Sequence, residues 1–210
     1  MNKLSICPIS NYSDFLSSDY DFGSFVEAQA NRFAKAACID VSKNGVRSYN
    51  PLLIYGGIGL GKTHLLKGIA KAASLQRQDV SIVYQSAEQF VHNWVDAIRS
   101  DSEDKLIEYF ESVDLWLVDN IELLTHKKPV WEGFLNILEY ISQDKLQIVL
   151  AGAISIDELQ ELDEWLKSRF INSLSVEISQ PDQDTRIEIL RGKAMSADFE
   201  LDVDIASLLA

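Results

Sequence analysis

Five short apolar runs punctuate the chain, at Leu52–Tyr55, Val80–Tyr84, Val113–Val118, Leu146–Ala151 and Leu174–Ile178. Their length suits strands, and near-continuous apolar character suits strands buried on both faces. Between them, apolar residues return every three or four positions. Leu65, Leu66, Ile69 and Ala70 form one such stripe; Ala87, Phe90, Val91, Trp94, Val95 and Ile98 form another. Leu106, Ile107 and Phe110 make a third, and Trp131, Phe134, Leu135 and Leu138 a fourth. That period belongs to amphipathic helices. Strands alternating with helices predict an α/β fold with a parallel sheet covered on both faces. Two helices fall between the second and third strands where one would suffice. Ser100 with Glu103 offers a capping box for the second of them, and Ser155 with Glu158 caps a short helix after the fourth strand. Asn31–Ala37 reads as a helix ahead of the first strand. Pro181 breaks the alternation, and helices from Asp184 to Ala194 and from Asp204 onward open a separate helical unit. The division is an irregular leader over 1–20, a main domain over 21–180 and a helical piece over 181–210.

The first strand runs straight into Gly56-Gly57-Ile58-Gly59-Leu60-Gly61-Lys62-Thr63, and His64 and a helical stripe follow. This is G-x-x-x-x-G-K-T in the strand–loop–helix setting of a phosphate-binding loop. Gly56, Gly57, Gly59 and Gly61 let successive N–H groups turn inward toward the oxygens of a polyphosphate. The positive end of the next helix meets the same place. Lys62 then reaches the terminal phosphates, and the Thr63 hydroxyl ligates Mg²⁺. By chance the eight-residue pattern arises in roughly one chain of this length in a hundred, before its flanks are counted. Asp119 closes the third apolar run, where a P-loop fold holds a carboxylate beside the metal, directly or through its waters. The following position, often a second carboxylate that polarises the attacking water, is Asn120. An amide orients water but takes no proton, and losing a general base costs about 10²–10⁴ in rate. Glu122, two residues further on, is expected to point elsewhere. Binding of ATP or ADP with slow or silent hydrolysis is the expectation.

The 19 basic residues against 32 acidic ones leave a net charge of −13, which argues against a broad electrostatic grip on duplex DNA. No stretch approaches the roughly 20 apolar residues of a membrane span. The first residues carry no secretory signal, and Cys7 and Cys38 lack metal-like or catalytic neighbours, so a reducing, cytoplasmic setting is expected. His64, His92 and His126 are scattered without ligand spacing.

From Tyr49 through the P-loop to Leu66, the chain resembles the AAA+ domain of the DnaA family of bacterial replication initiators. The likeness continues through Asn31-Arg32-Phe33-Ala34, Ser86-Ala87-Glu88-Gln89-Phe90-Val91, Gln147-Ile148-Val149-Leu150, Leu166-Lys167-Ser168-Arg169-Phe170 and Asp184-Thr185-Arg186. The resemblance implies a five-stranded sheet in the order 5-1-4-3-2, with 181–210 beginning a helical lid. It implies that Phe22, Phe25, Val26 and Asn31 enclose the adenine, and that Arg169 reaches a neighbouring subunit's ATP and drives self-assembly. It places Val91 and Lys127 where the family holds single-stranded origin DNA, and it suggests the replicative helicase or another initiator as partners. The extra helix pair is similar to the initiator-specific insertion, which the shorter regulator Hda lacks. Ala28 and Ala30 stand where relatives have glycines, Pro129 where an arginine is common, and Ala151-Gly152-Ala153 where a polar sensor of the γ-phosphate is usual. The leading expectation is an initiator ATPase domain that assembles on origin DNA. The alternative is an Hda-like regulatory paralogue with little or no turnover.

Overall fold

Strands β1 (Leu52–Gly56), β2 (Ile82–Ser86), β3 (Leu115–Asp119), β4 (Gln147–Gly152) and β5 (Leu174–Ile178) all form, and every pairing is parallel. Their order is β2-β3-β4-β1-β5, the expected arrangement read from its other edge. This computed structural model describes residues 20–43, 49–77, 79–125, 128–140, 146–155, 157–158 and 173–210. The proposed leader, Tyr20 aside, lies outside these residues, as do Lys127 and Arg169.

The helices are α1 (Arg32–Val41), α2 (Lys62–Gln76), α3 (Ala87–Arg99), α4 (Glu103–Glu111), α5 (Glu122–Thr125), α6 (Lys128–Tyr140), α7 (Gln183–Ser196) and α8 (Val203–Leu209). Side chains alternate across the sheet and so build two cores. On one face, Leu52 and Ile54 of β1 pack with Leu65, Leu66 and Ile69 of α2. On the other, Leu53 joins an aromatic cluster from α3, α4 and α6. Trp116 of β3 is its centre, with Phe110 at 4.2 Å and Phe134 at 5.3 Å between ring centroids. Each buried side chain of this size contributes about 1.5–3 kcal/mol, which is why three short helices stay docked here. Gly133 of α6 makes the close approach possible: a Cβ there would stand 2.0 Å from Trp94.

Two local expectations need correction. β2 starts two residues later than Val80, because Ser81 N–H is taken by the Asp114 carboxylate at 2.9 Å and the ladder with β3 continues through polar Gln85 and Ser86. Ser86 then caps α3 in a capping box with Gln89. The Ser100–Glu103 box does not form. Ser100 instead closes α3, donating to the Asp96 carbonyl at 2.6 Å, and α4 starts from Ser102. Ser100 is the C-cap of α3, and its hydroxyl shares the Asp96 carbonyl that its own N–H already bonds at 3.1 Å. The Ser155–Glu158 box is present: Glu158 accepts from Ser155 N–H at 2.8 Å, and Ser155 Oγ accepts from Glu158 N–H at 3.3 Å. Cys38 is buried on α1, where desolvation pushes its thiol far up. Among the described residues, no helix is long and apolar enough to cross a membrane.

Candidate nucleotide site

Parallel strands direct their carboxyl ends to one edge, and a site in such a fold gathers there. Register makes this concrete. Tyr55 lies level with Gly152 across β1 and β4, and Ser86 level with Asp119 across β2 and β3. Gly56, Asp119 and Gly152 therefore end neighbouring strands at one rim.

The P-loop crosses that rim from β1 to α2. At Gly56 a Cβ would meet the Ile178 carbonyl oxygen at 2.3 Å. Gly61, with φ 93°, leads into α2 in a left-handed conformation, and a Cβ there would stand 2.8 Å from the Phe25 ring. Both positions thus demand glycine. Lys62 is only 8% exposed, and its Nζ donates to the carbonyls of Gly56 and Gly57 at 2.8 and 2.7 Å. Burial pulls its ammonium below the ordinary lysine range. The charge of Glu122 opposes that shift, and that of Asp119 does so less.

Asp119 is 3% exposed, and its carboxylate is crowded with donors. Oδ2 accepts from Thr63 Oγ1 at 2.6 Å and from the Tyr84 hydroxyl at 3.1 Å, while Oδ1 accepts from Asn120 N–H at 3.0 Å. Thr63 and Asp119 are hard oxygen donors already in contact, which fits Mg²⁺, an ion that keeps most of its shell for water and phosphate. Among the described residues no group of three His, Cys, Asp or Glu could hold a metal. Tyr84 was not expected here. Strand alternation carries the signal, since Tyr84 and Ser86 share the face of Leu117 and Asp119. Burial first, and then the Asp119 charge, push its hydroxyl pKa far up, so it stays a donor.

The segment before α1 folds over the start of α2. Phe25 is buried against Gly61, and Phe22 lies against Gly68. Asn31 is a brace: Oδ1 accepts from Ala28 N–H at 2.9 Å, and Nδ2 donates to the Val26 carbonyl at 3.0 Å. His64 fastens the other end. Its Nε2 donates to the Asp21 carbonyl at 2.8 Å, and its ring meets Tyr20 and Phe25 edge-on, each at 5.1 Å. Burial holds its pKa below the usual histidine value. Asp21 is held at about 2, first by the Ser24 N–H and then by Lys71. The structure thus sets Phe25 and His64 at the start of α2 and Phe22 further along it at Gly68, with Val26 and Asn31 in the braced segment that precedes α1. Val91 stands apart on α3, partly buried against the aromatic core.

Asn120 is exposed and turns the chain at φ 58°. Ile121 N–H then bonds the Ala151 carbonyl at 3.0 Å, which folds the chain back across the end of β4. Glu122 therefore faces the site rather than away from it, contrary to the sequence expectation. Its Oε2 accepts from Ala153 N–H at 3.0 Å. Gly152 lets it in, since a Cβ there would lie 2.6 Å from that oxygen.

Comparison with known proteins gives the arrangement its context. The family model for the bacterial DnaA ATPase domain matches residues 16–177. The chromosomal replication initiator protein DnaA of Lactobacillus helveticus is 36% identical over 195 residues, covering 93% of this chain and 43% of that protein. The chain thus spans less than half the length of such relatives. The crystal structure of domain III of the Thermotoga maritima initiator DnaA superposes with a TM-score of 0.84 at 31% identity, over 91% of this chain and 80% of that one. A replication initiator DnaA bound to AMPPCP and single-stranded DNA gives 0.81 at 30% identity, over 93% and 60%. With its P-loop, its parallel order and its inserted helix pair, the chain belongs to the bacterial DnaA ATPase-domain family.

Proposed function

We propose that this chain binds ATP or ADP with Mg²⁺ and serves as the nucleotide-dependent assembly module of a replication initiator. The contact between Thr63 and Asp119 carries the reading: residues 56 apart in sequence bring a hydroxyl and a buried carboxylate together at the P-loop. The loop amides and Lys62 would hold the phosphates, with Lys62 exchanging two carbonyl partners for phosphate oxygens. Thr63 and Asp119 would hold Mg²⁺, which neutralises phosphate charge. Phe22, Phe25, Val26 and Asn31, braced as described, would enclose the base beside His64. Residues 21–180 would form the nucleotide-binding unit and 181–210 the start of its lid.

Assembly would follow from Arg169 of one subunit meeting its neighbour's nucleotide, since a guanidinium suits a terminal phosphate. The relative bound to single-stranded DNA supports a DNA role, which the family resemblance would assign to Val91 and Lys127. The α3–α4 pair exposes Glu88, Asp96, Asp101, Asp104, Glu108 and Glu111 against Arg99 and Lys105. Such a face repels phosphates, so binding to a single strand should be weak and sensitive to salt. The presence of that pair favours an initiator over the shorter regulator. The primary test is equilibrium ATP affinity of the wild type and Lys62→Ala; equal affinities overturn the reading. Sedimentation with ATP, comparing wild type with Arg169→Ala, tests the assembly step.

A further inference from the structure

We infer that Glu122 supplies the water-activating carboxylate that Asn120 cannot, which makes it a catalytic residue of this site. The inference rests on the nucleotide-binding reading above. Asp119 is committed: its oxygens accept from Thr63, Tyr84 and Asn120, and it stands with the Thr63 hydroxyl where a cation fits. Asn120 is exposed and contributes only its backbone N–H to that network. Glu122 is placed differently. Its carboxylate is half-buried at the end of β4, pinned through Oε2 to Ala153 N–H, its only hydrogen-bond partner among the described residues. Oε1 is left able to accept from a water O–H.

Three local features produce that placement. Asn120 takes the left-handed turn that reverses the chain, Ile121 N–H anchors the reversal on Ala151, and Gly152 with Ala153 offers no side chain in the way. The alanine and glycine that look like a lost sensor are the opening through which this carboxylate enters.

In the step assigned to it, a water oxygen forms the new bond to the γ-phosphorus. The bond from that phosphorus to the β–γ bridging oxygen breaks, and its electron pair leaves with ADP. The water proton passes to Glu122, which later returns it to solvent. A positioned base of this kind accounts for about 10²–10⁴ in rate.

The test uses the full chain with ATP and Mg²⁺. Glu122→Gln keeps an acceptor for Ala153 N–H, so its fold and melting temperature should match the wild type. Hydrolysis in a single turnover should fall about 10²–10⁴-fold. ATP affinity should stay the same or tighten, because a charge facing the phosphates is gone. Gly152→Ala, which displaces the same carboxylate, should reproduce the rate loss with Glu122 still present. Wild-type hydrolysis rates in Glu122→Gln would overturn the inference, and so would a wild type that binds ATP without hydrolysing it. A wild type that fails to bind ATP would instead overturn the nucleotide-binding reading beneath it.

Discussion

Asp119→Asn separates what holds the fold from what serves the site. The carboxylate is 3% exposed and accepts three hydrogen bonds. A bond to a charged group contributes about 1.5–3 kcal/mol, against about 0.5–1.5 for a neutral pair. Exchanging charged for neutral acceptors therefore costs about 3–4 kcal/mol over three bonds. The amide keeps one oxygen for Asn120 N–H, and its NH₂ can donate to the Thr63 and Tyr84 hydroxyls, which also accept. Against this loss, the desolvation cost of a buried charge disappears, a relief of several kcal/mol. The terms nearly cancel, so without nucleotide the stability should change by no more than about 2 kcal/mol. At about 2–4 °C per kcal/mol for a chain of this size, the melting temperature in EDTA should move by less than about 8 °C. Mg·ATP at a hundred times its Kd should then stabilise the wild type by about 2.7 kcal/mol, a rise of roughly 5–11 °C, and the variant by far less. Thermal melts with and without Mg·ATP read both quantities. A variant that unfolds in EDTA, or one that rises with Mg·ATP as much as the wild type, would refute the reasoning.

Gly133→Ala forces a Cβ to within 2.0 Å of Trp94. It should destabilise by about 1–3 kcal/mol or more, read as a lower urea midpoint. Phe110→Ala, removing a ring 4.2 Å from Trp116, should cost about 3–5 kcal/mol in the same assay. His64 adds a pH dependence of known sign. Its folded pKa lies below the ordinary 6.5, so the unfolded chain takes up the proton first. Its contribution to stability is complete above that value and is lost as pH falls through the lowered one. Asp21 acts the same way further down, losing its contribution between pH 3.8 and about 2. Melting temperatures from pH 7 to 5 should therefore fall less steeply in His64→Gln; parallel slopes would exclude the effect.

The sheet was legible because its determinants are local. Five apolar runs and four helical stripes are each written within a dozen residues, and parallel pairing follows from the helices between them, while the strand order was what the family resemblance implied. Boundaries were less legible wherever a polar group outcompeted the apolar pattern. β2 runs on through Gln85 and Ser86 because the backbone ladder extends past the apolar residues. Ser100 turns back to α3 as its C-cap, its hydroxyl and its N–H both bonding the Asp96 carbonyl. Much of the site was also legible, because the P-loop writes its glycines, lysine and threonine consecutively. Tyr84 was missed because no motif marks it: its place beside Asp119 emerges only when the strand order is combined with side-chain alternation along β2 and β3.

Glu122 shows how linear reading fails at a site. Asn120 reads as a missing acid and Ala151-Gly152-Ala153 as a missing sensor, and two independent losses suggest a weak or silent enzyme. Space joins them. Asn is among the residues that tolerate a left-handed turn, and the turn at Asn120 is what aims residue 122. Gly152 and Ala153 then decide whether a carboxylate can enter, since a Cβ at 152 would lie 2.6 Å from its oxygen. The positions are coupled through one contact. Double substitution at 122 and 152 should accordingly cost little more than either alone, where independent roles would add.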